Sequence, residues 1–206
     1  MTTLDSLAPR TGNMADRPYL TIVSGLPRSG TSMMMRMLEA GGIPVLADGI
    51  RTADEDNPRG YYEFEAVKKT KEDASWLEGS AGQVVKMVHL LLLDLPLDHK
   101  YRVVFMRRHL DEVVRSQNKM LERQGKGTDD LPAAQIKQLY LGQIKRVQQY
   151  VAEHPEQFEM IEIEYNDVLA DPEPHIAEVS EFLDGLDTAA MQTVVEPALY
   201  RNRAAT

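Results

Sequence analysis

The chain has 206 residues, 43% of them apolar, enough for one domain with a full core and cramped for two. Lysine and arginine number 23 against 32 aspartates and glutamates, a net charge of −9 with a sequence pI of about 5.1. That balance argues against a general binder of nucleic acid or anionic membranes but leaves room for a local basic pocket, while the absence of cysteine excludes disulfides, thiolate zinc sites and cysteine nucleophiles.

Residues 1–18 are polar, carry Pro9, Gly12 and Pro18, and show no periodicity, which reads as a loose leader ahead of a single domain over residues 19–206. No basic segment followed by an apolar one opens the chain, and no run approaches the ~18 apolar residues of a membrane span, so the expectation is a cytoplasmic protein without a transmembrane segment. The stretch YLTIVSGLPRSGTSMMMRMLEAGG follows. It predicts a buried strand over residues 20–24, a tight loop from Gly25 to Gly30, and a helix from Thr31 to Gly41 and Gly42. Such a loop aims several backbone N–H groups at one point, reinforced by the positive end of the helix dipole, and makes a phosphate cradle. Gly25 and Gly30 have the spacing of a Walker A loop, but Thr31 and Ser32 stand where that loop has lysine followed by serine or threonine. The cation of the loop is Arg28. ATP chemistry needs the lysine and an acidic partner for magnesium, and neither is evident. Two glycines alone would fit an ordinary turn; Pro27, Arg28, Ser29, Gly30, Thr31 and Ser32 in this order point instead to a phosphate.

Residues 43–46 predict a short second strand, and Asn57 to Gly60 a turn. Tyr61, Tyr62, Glu63, Phe64 and Glu65 then group aromatics with acids, either as a surface loop or as a substrate-contacting segment. Residues 67–77 mix charged and apolar side chains at helical spacing, and residues 83–88 read as a buried strand leading to His89. A histidine at a strand end is more often structural than catalytic. Residues 102–106 predict a second parallel strand running into Arg107 and Arg108, followed by a helix striped with Leu110, Val113, Val114, Gln117 and Leu121. Arginines there lie where open α/β sheets bind ligands, and solvated rim charges are the even alternative. Arg108 and Ser116, eight apart, both face an anion if the intervening turn folds back. A long helix over 132–151 carries a core stripe from Ile136 to Tyr150, residues 158–164 alternate as an edge or half-exposed strand, and residues 165–169 open a turn. Helices over 174–183 and 187–195 precede a terminus with Arg201 and Arg203. Strands alternating with helices predict an α/β fold, a P-loop three-layer architecture with a central, mainly parallel sheet flanked by helices.

Gly25 to Ser32 resembles the phosphosulfate loop of the sulfotransferase superfamily, the enzymes that use 3′-phosphoadenylyl sulfate (PAPS). Val85-Lys86-Met87-Val88-His89-Leu90 is similar to that family's lysine-threonine-histidine-leucine segment, with one extra residue before the histidine. The strand ending in Arg107-Arg108, with Ser116 beyond it, resembles the unit that grips the 3′-phosphate, and Tyr165 to Leu169 the turn near the nucleotide. Leu110 stands where many members have proline, and their C-terminal glycine-rich basic segment is missing, with Arg201 and Arg203 as possible substitutes. The resemblance covers most of the chain and implies transfer of a sulfuryl group to a hydroxyl or amine without an obligatory metal. It implies Arg28, the loop amides, Thr31 and Ser32 on the leaving side, and Arg108 and Ser116 on the 3′-phosphate, with Tyr165 near the adenine. His89 is the first candidate for general base, and Glu63 or Glu65 the second. The acidic balance favours a small hydroxylated metabolite or lipid as acceptor, and the Met-rich and Tyr-rich segments admit a homodimer. A P-loop kinase for a nucleotide or small molecule, and a catalytically silent nucleotide-binding interaction protein, remain as alternatives.

Overall fold

The computed structural model describes residues 17–49, 62–123, 125 and 131–195. Strand β1 (Leu20–Gly25) lies at the centre because its residues are apolar or small on both sides and all are buried. Around it stand β2 (Val45–Leu46), β3 (Val84–Lys86), β4 (Tyr101–Arg107) and β5 (Phe158–Glu164) in the order β2-β3-β1-β4-β5, with every pair parallel. β5 takes the edge. Its glutamates face arginines of β4, Glu159 at 3.3 Å from Arg102 and Glu162 at 2.7 Å from Arg107, so charge protects the open edge.

The two-residue period of the strands divides the core into two layers. On one face Val23, Val104 and Met106 pack against Met34, Met37 and Leu38 of α1 (Thr31–Ala40), Ile176 and Val179 of α5 (Pro172–Phe182), and Met191 of α6 (Thr188–Thr193). On the other, Ile22, Val85, Val103 and Phe105 meet Val113 of α2 (Leu110–Arg123) and Ile144 and Val147 of α3 (Ala133–Glu153). Each such side chain contributes ~1.5–3 kcal/mol on burial, which is why the sheet is the rigid platform of the molecule. Met33, Met34, Met35 and Met37 of α1 are all buried in this layer.

Two local expectations are corrected. Residues 67–77 form two separate 3₁₀ turns, Glu65–Lys69 and Ser75–Leu77, rather than a helix. Asp73 accepts from the Ser75 amide at 3.0 Å, and the Thr70 hydroxyl donates to Val67 O and accepts from the Trp76 ring N–H at 3.1 Å. These local side-chain bonds compete with the helical ladder and interrupt it. Residues 165–169 lie in a short helix, α4 (Tyr165–Ala170), instead of a turn, and its Tyr165, Val168 and Leu169 supply an apolar face to the core. Arg17, within the expected leader, is buried and donates to Gly185 O at 2.9 Å. Arg201 lies outside the described residues.

Candidate active site around the β1 loop

From β1 the chain crosses past β3 to β2, and from β4 it crosses the other way to β5, so the carboxyl ends of β1 and β4 form a switch point of the sheet, where crevices open. The loop after β1 lies in that crevice. Gly25 (φ 146°) and Gly30 (φ 99°) adopt left-handed backbone, and both are closely covered. A Cβ on Gly25 would lie 2.5 Å from Met106 O, and one on Gly30 only 2.3 Å from Tyr165 Cδ2. Gly30→Ala is therefore expected to cost ~1–3 kcal/mol through strain and overlap with the Tyr165 ring. A thermal melt checks this, and an unshifted midpoint would mean that the contact relaxes freely.

Gly30 caps α1 without a side-chain hydrogen bond, and no acidic residue occupies the first turn. The orphan amides at this end and the helix dipole therefore favour an anion. Ser29 is 1% exposed and its Oγ has no hydrogen-bond partner among the described residues, an unusual cost that an anion accepting from it would remove. Arg28 is itself left-handed at φ 70°, a rare state for a side-chain-bearing residue. Two contacts hold it there: its Nε donates to Ser116 Oγ at 3.0 Å, and its carbonyl accepts from Arg108 at 3.0 Å. Arg28, Arg108 and Ser116, separated in sequence, thus converge on one loop. Tyr165 completes the group, with its ring against Gly30 and the Arg108 guanidinium 4.7 Å above its centroid. Burial raises the Tyr165 pKa above its ordinary value, with Arg108 opposing, so the phenol stays neutral. Arg107, the last residue of β4, does not join them; it pairs with Glu162 at 2.7 Å, and the chain has left the strand at Arg108.

Beside the loop, a cleft of about 100 Å³ is lined by Pro27, Thr31, Phe64, Val67, Met87, Val88 and Leu91, with Glu63, Lys68 and Lys86 as its charged groups. Glu63 is one-fifth exposed (21%) and lies 3.8 Å from Lys68 Nζ. Glu65 pairs with the same Lys68 at 2.5 Å but is not part of the cleft wall. The sequence carries no plain mark of Lys68 or Lys86 as a site residue, although Lys86 lies in the same segment as His89. Its place at the end of β3, beside β1, was the available signal.

His89 is only 3% exposed and does not line the cleft. Its Nε2 bonds to Gln143 Oε1 at 2.9 Å, joining a 3₁₀ turn (His89–Asp94) to α3. Burial pushes its pKa below the ordinary histidine value, with Gln143 and the Gly25 main chain opposing. The folded ring is thus neutral where the unfolded ring, with a pKa of about 6.5, takes a proton. The unfolded state then binds more protons, and stability declines as pH falls below ~6.5 toward the lowered native value. Melting temperatures at pH ~7.5 and ~5.5 should show a loss in the wild type that His89→Gln reduces. Equal losses in both proteins would assign the acid sensitivity to other groups.

Comparison with known proteins gives the family and the fold. Residues 60–189 match the model of the sulfotransferase family, a stretch that begins beyond the phosphate loop and covers more than half of the chain. No curated protein sequence matches the chain. Among solved structures, sulfotransferase STF1 from Mycobacterium tuberculosis H37Rv superposes with a TM-score of 0.56 at 17% identity, covering 87% of this chain and 72% of its own. The sulfotransferase domain from the curacin biosynthetic pathway gives 0.53 at 17% identity, over 87% and 78% of the two chains. Retinol dehydratase, in complex with androsterone and the inactive cofactor PAP, gives 0.51 at 19% identity, over 89% of this chain and 65% of its own. At these identities the structures share the fold, and the family match extends through the strand, helix and α4 residues gathered around the loop. The chain belongs to the sulfotransferase family.

Proposed function

We propose that the protein moves a sulfuryl group from PAPS to a hydroxyl or amine of a small-molecule acceptor, without a required metal. The observation that carries this reading is the convergence of Arg28, Arg108 and Ser116 on a loop whose helix offers uncapped amides and no acid. A phosphate loop alone accommodates many nucleotides, whereas a second cation just beyond β4 and a hydroxyl from α2 suit a nucleotide with phosphate at two positions. Pro27, Arg28, Ser29, Gly30, Thr31 and Ser32 would hold the phosphosulfate, and Arg108 and Ser116 the 3′-phosphate, with Tyr165 beside the adenine. PAPS, when bound, supplies a sulfuryl group joined to a stabilised phosphate leaving group.

Arg28 and the loop amides are fixed donors, oriented before reaction, so they favour the charge that develops on the leaving side more than the ground state. Glu63 takes the proton of the acceptor in this proposal, because its carboxylate shares the cleft wall with Thr31 and Lys86. His89 has its Nε2 on Gln143 and is enclosed, which favours a supporting role beneath the loop. The test is incubation of the protein with PAPS and a mixed set of apolar alcohols, phenols and amines, followed by mass spectrometry. A product heavier by one sulfuryl group, together with released 3′,5′-adenosine bisphosphate (PAP), is expected in a chelator-containing buffer. Phosphorylated products from ATP and magnesium in the parallel reaction, with none from PAPS, would contradict it.

A further inference from the structure

The most deeply buried acid around the site belongs to none of the roles above. Glu112, in the first turn of α2, is 0% exposed. Its Oε2 accepts from Arg108 Nε at 2.9 Å and from Asn166 Nδ2 at 3.2 Å. Asn166 Oδ1 in turn accepts from the His109 amide at 3.5 Å, so one carboxylate ties the end of β4 to the start of α4. Arg108 is consequently held on several sides: Nε on Glu112, NH1 on the Arg28 carbonyl, and its plane over the Tyr165 ring. Burying an ion pair is costly, and apolar residues of similar volume serve stability as well or better, so stability alone is a weak account of a carboxylate here. Orientation is the stronger one. A guanidinium on a flexible stem loses rotamer entropy when it grips an anion, and a buried bond at Nε removes that cost beforehand.

We infer that Glu112 is a positioning residue: through Arg108, with Asn166 sharing the same oxygen, it pre-orients the protein's grip on the 3′-phosphate. This rests on the PAPS reading above. The dipole of α2 supports the arrangement, since its N-terminal end stabilises the carboxylate in the first turn.

The experiment compares calorimetric affinities of the full chain for PAP and for 5′-adenosine monophosphate, which differ only in the 3′-phosphate. The wild type should prefer PAP. In Glu112→Ala the affinity for PAP should fall about tenfold and that for the monophosphate by less than about twofold, as expected for loss of a charge-assisted contact. Glu112→Gln keeps the volume and an oxygen acceptor and should lose about threefold on PAP alone; it carries the same comparison if Glu112→Ala fails to fold. Arg108→Ala should collapse the same preference, and adding Glu112→Ala to it should change little further, because both act on one contact. A purely structural role would weaken both nucleotides together, and that result, or an unchanged preference in both Glu112 variants, would overturn the inference. A wild type that binds the two nucleotides alike would instead overturn the PAPS reading, and the role of Glu112 with it.

Discussion

Arg28→Ala should lower the turnover of sulfuryl transfer by ~10²-fold or more, the scale set by removing one preorganised donor from a developing anion. The substitution leaves the scaffold of the loop in place, since the glycines at Gly25 and Gly30 and their close contacts with Met106 and Tyr165 are independent of the guanidinium. The loss should appear in kcat as well as in kcat/KM, because the interaction strengthens as charge moves toward the leaving phosphate. Arg28→Lys preserves charge but not the planar N–H directed at Ser116, so it should recover only part of the rate. Full turnover in Arg28→Ala would remove the residue from the chemistry and leave it as a support for Ser116.

The second large effect concerns the proton acceptor. Glu63→Gln should reduce turnover by ~10²–10⁴-fold while leaving PAP affinity close to wild type, the range expected for removal of a general base. His89→Ala should retain most of the rate, because its ring is enclosed and bonded to Gln143 rather than facing the cleft. The comparison is made at saturating PAPS with one acceptor. A fully active Glu63→Gln beside an inactive His89→Ala would return the role to the histidine.

The strand, loop and helix from Leu20 to Ala40 were legible because three independent signals coincide there: a continuous apolar run, paired glycines at fixed spacing, and a methionine-rich helical stripe. The alternation of β5 and the buried part of the α3 stripe, Ile136, Ile144 and Val147, followed from periodicity in the same way, whereas Leu139, expected on that stripe, is exposed. The segment between Glu65 and Leu77 was not legible, since a few side-chain bonds from Thr70 and Asp73 override a weak helical pattern. Arg108 was marked in the sequence by its eight-residue spacing to Ser116 and by the family resemblance, whereas the pairing of Arg107 with Glu162 depends on how β4 lies against β5. Glu112 was invisible for a related reason. A glutamate in the first turn of a helix ordinarily reads as a solvated charge favoured by the dipole, and only the approach of Asn166 from α4 and of Arg108 makes it a buried, bonded carboxylate. The cleft shows the same dependence on assembly, because Glu63, Lys86 and Thr31 come from three separate stretches that the sheet order brings together.

In the proposed function, the loop and Arg108, just beyond β4, together read a nucleotide with phosphates at two positions. The most direct measurement of this is calorimetric titration of the wild-type protein with PAP in chelator, set beside ATP with and without magnesium. Tight, metal-independent binding of PAP and weak binding of ATP is the predicted result. Preference for ATP with magnesium would contradict the account and return the loop to kinase chemistry.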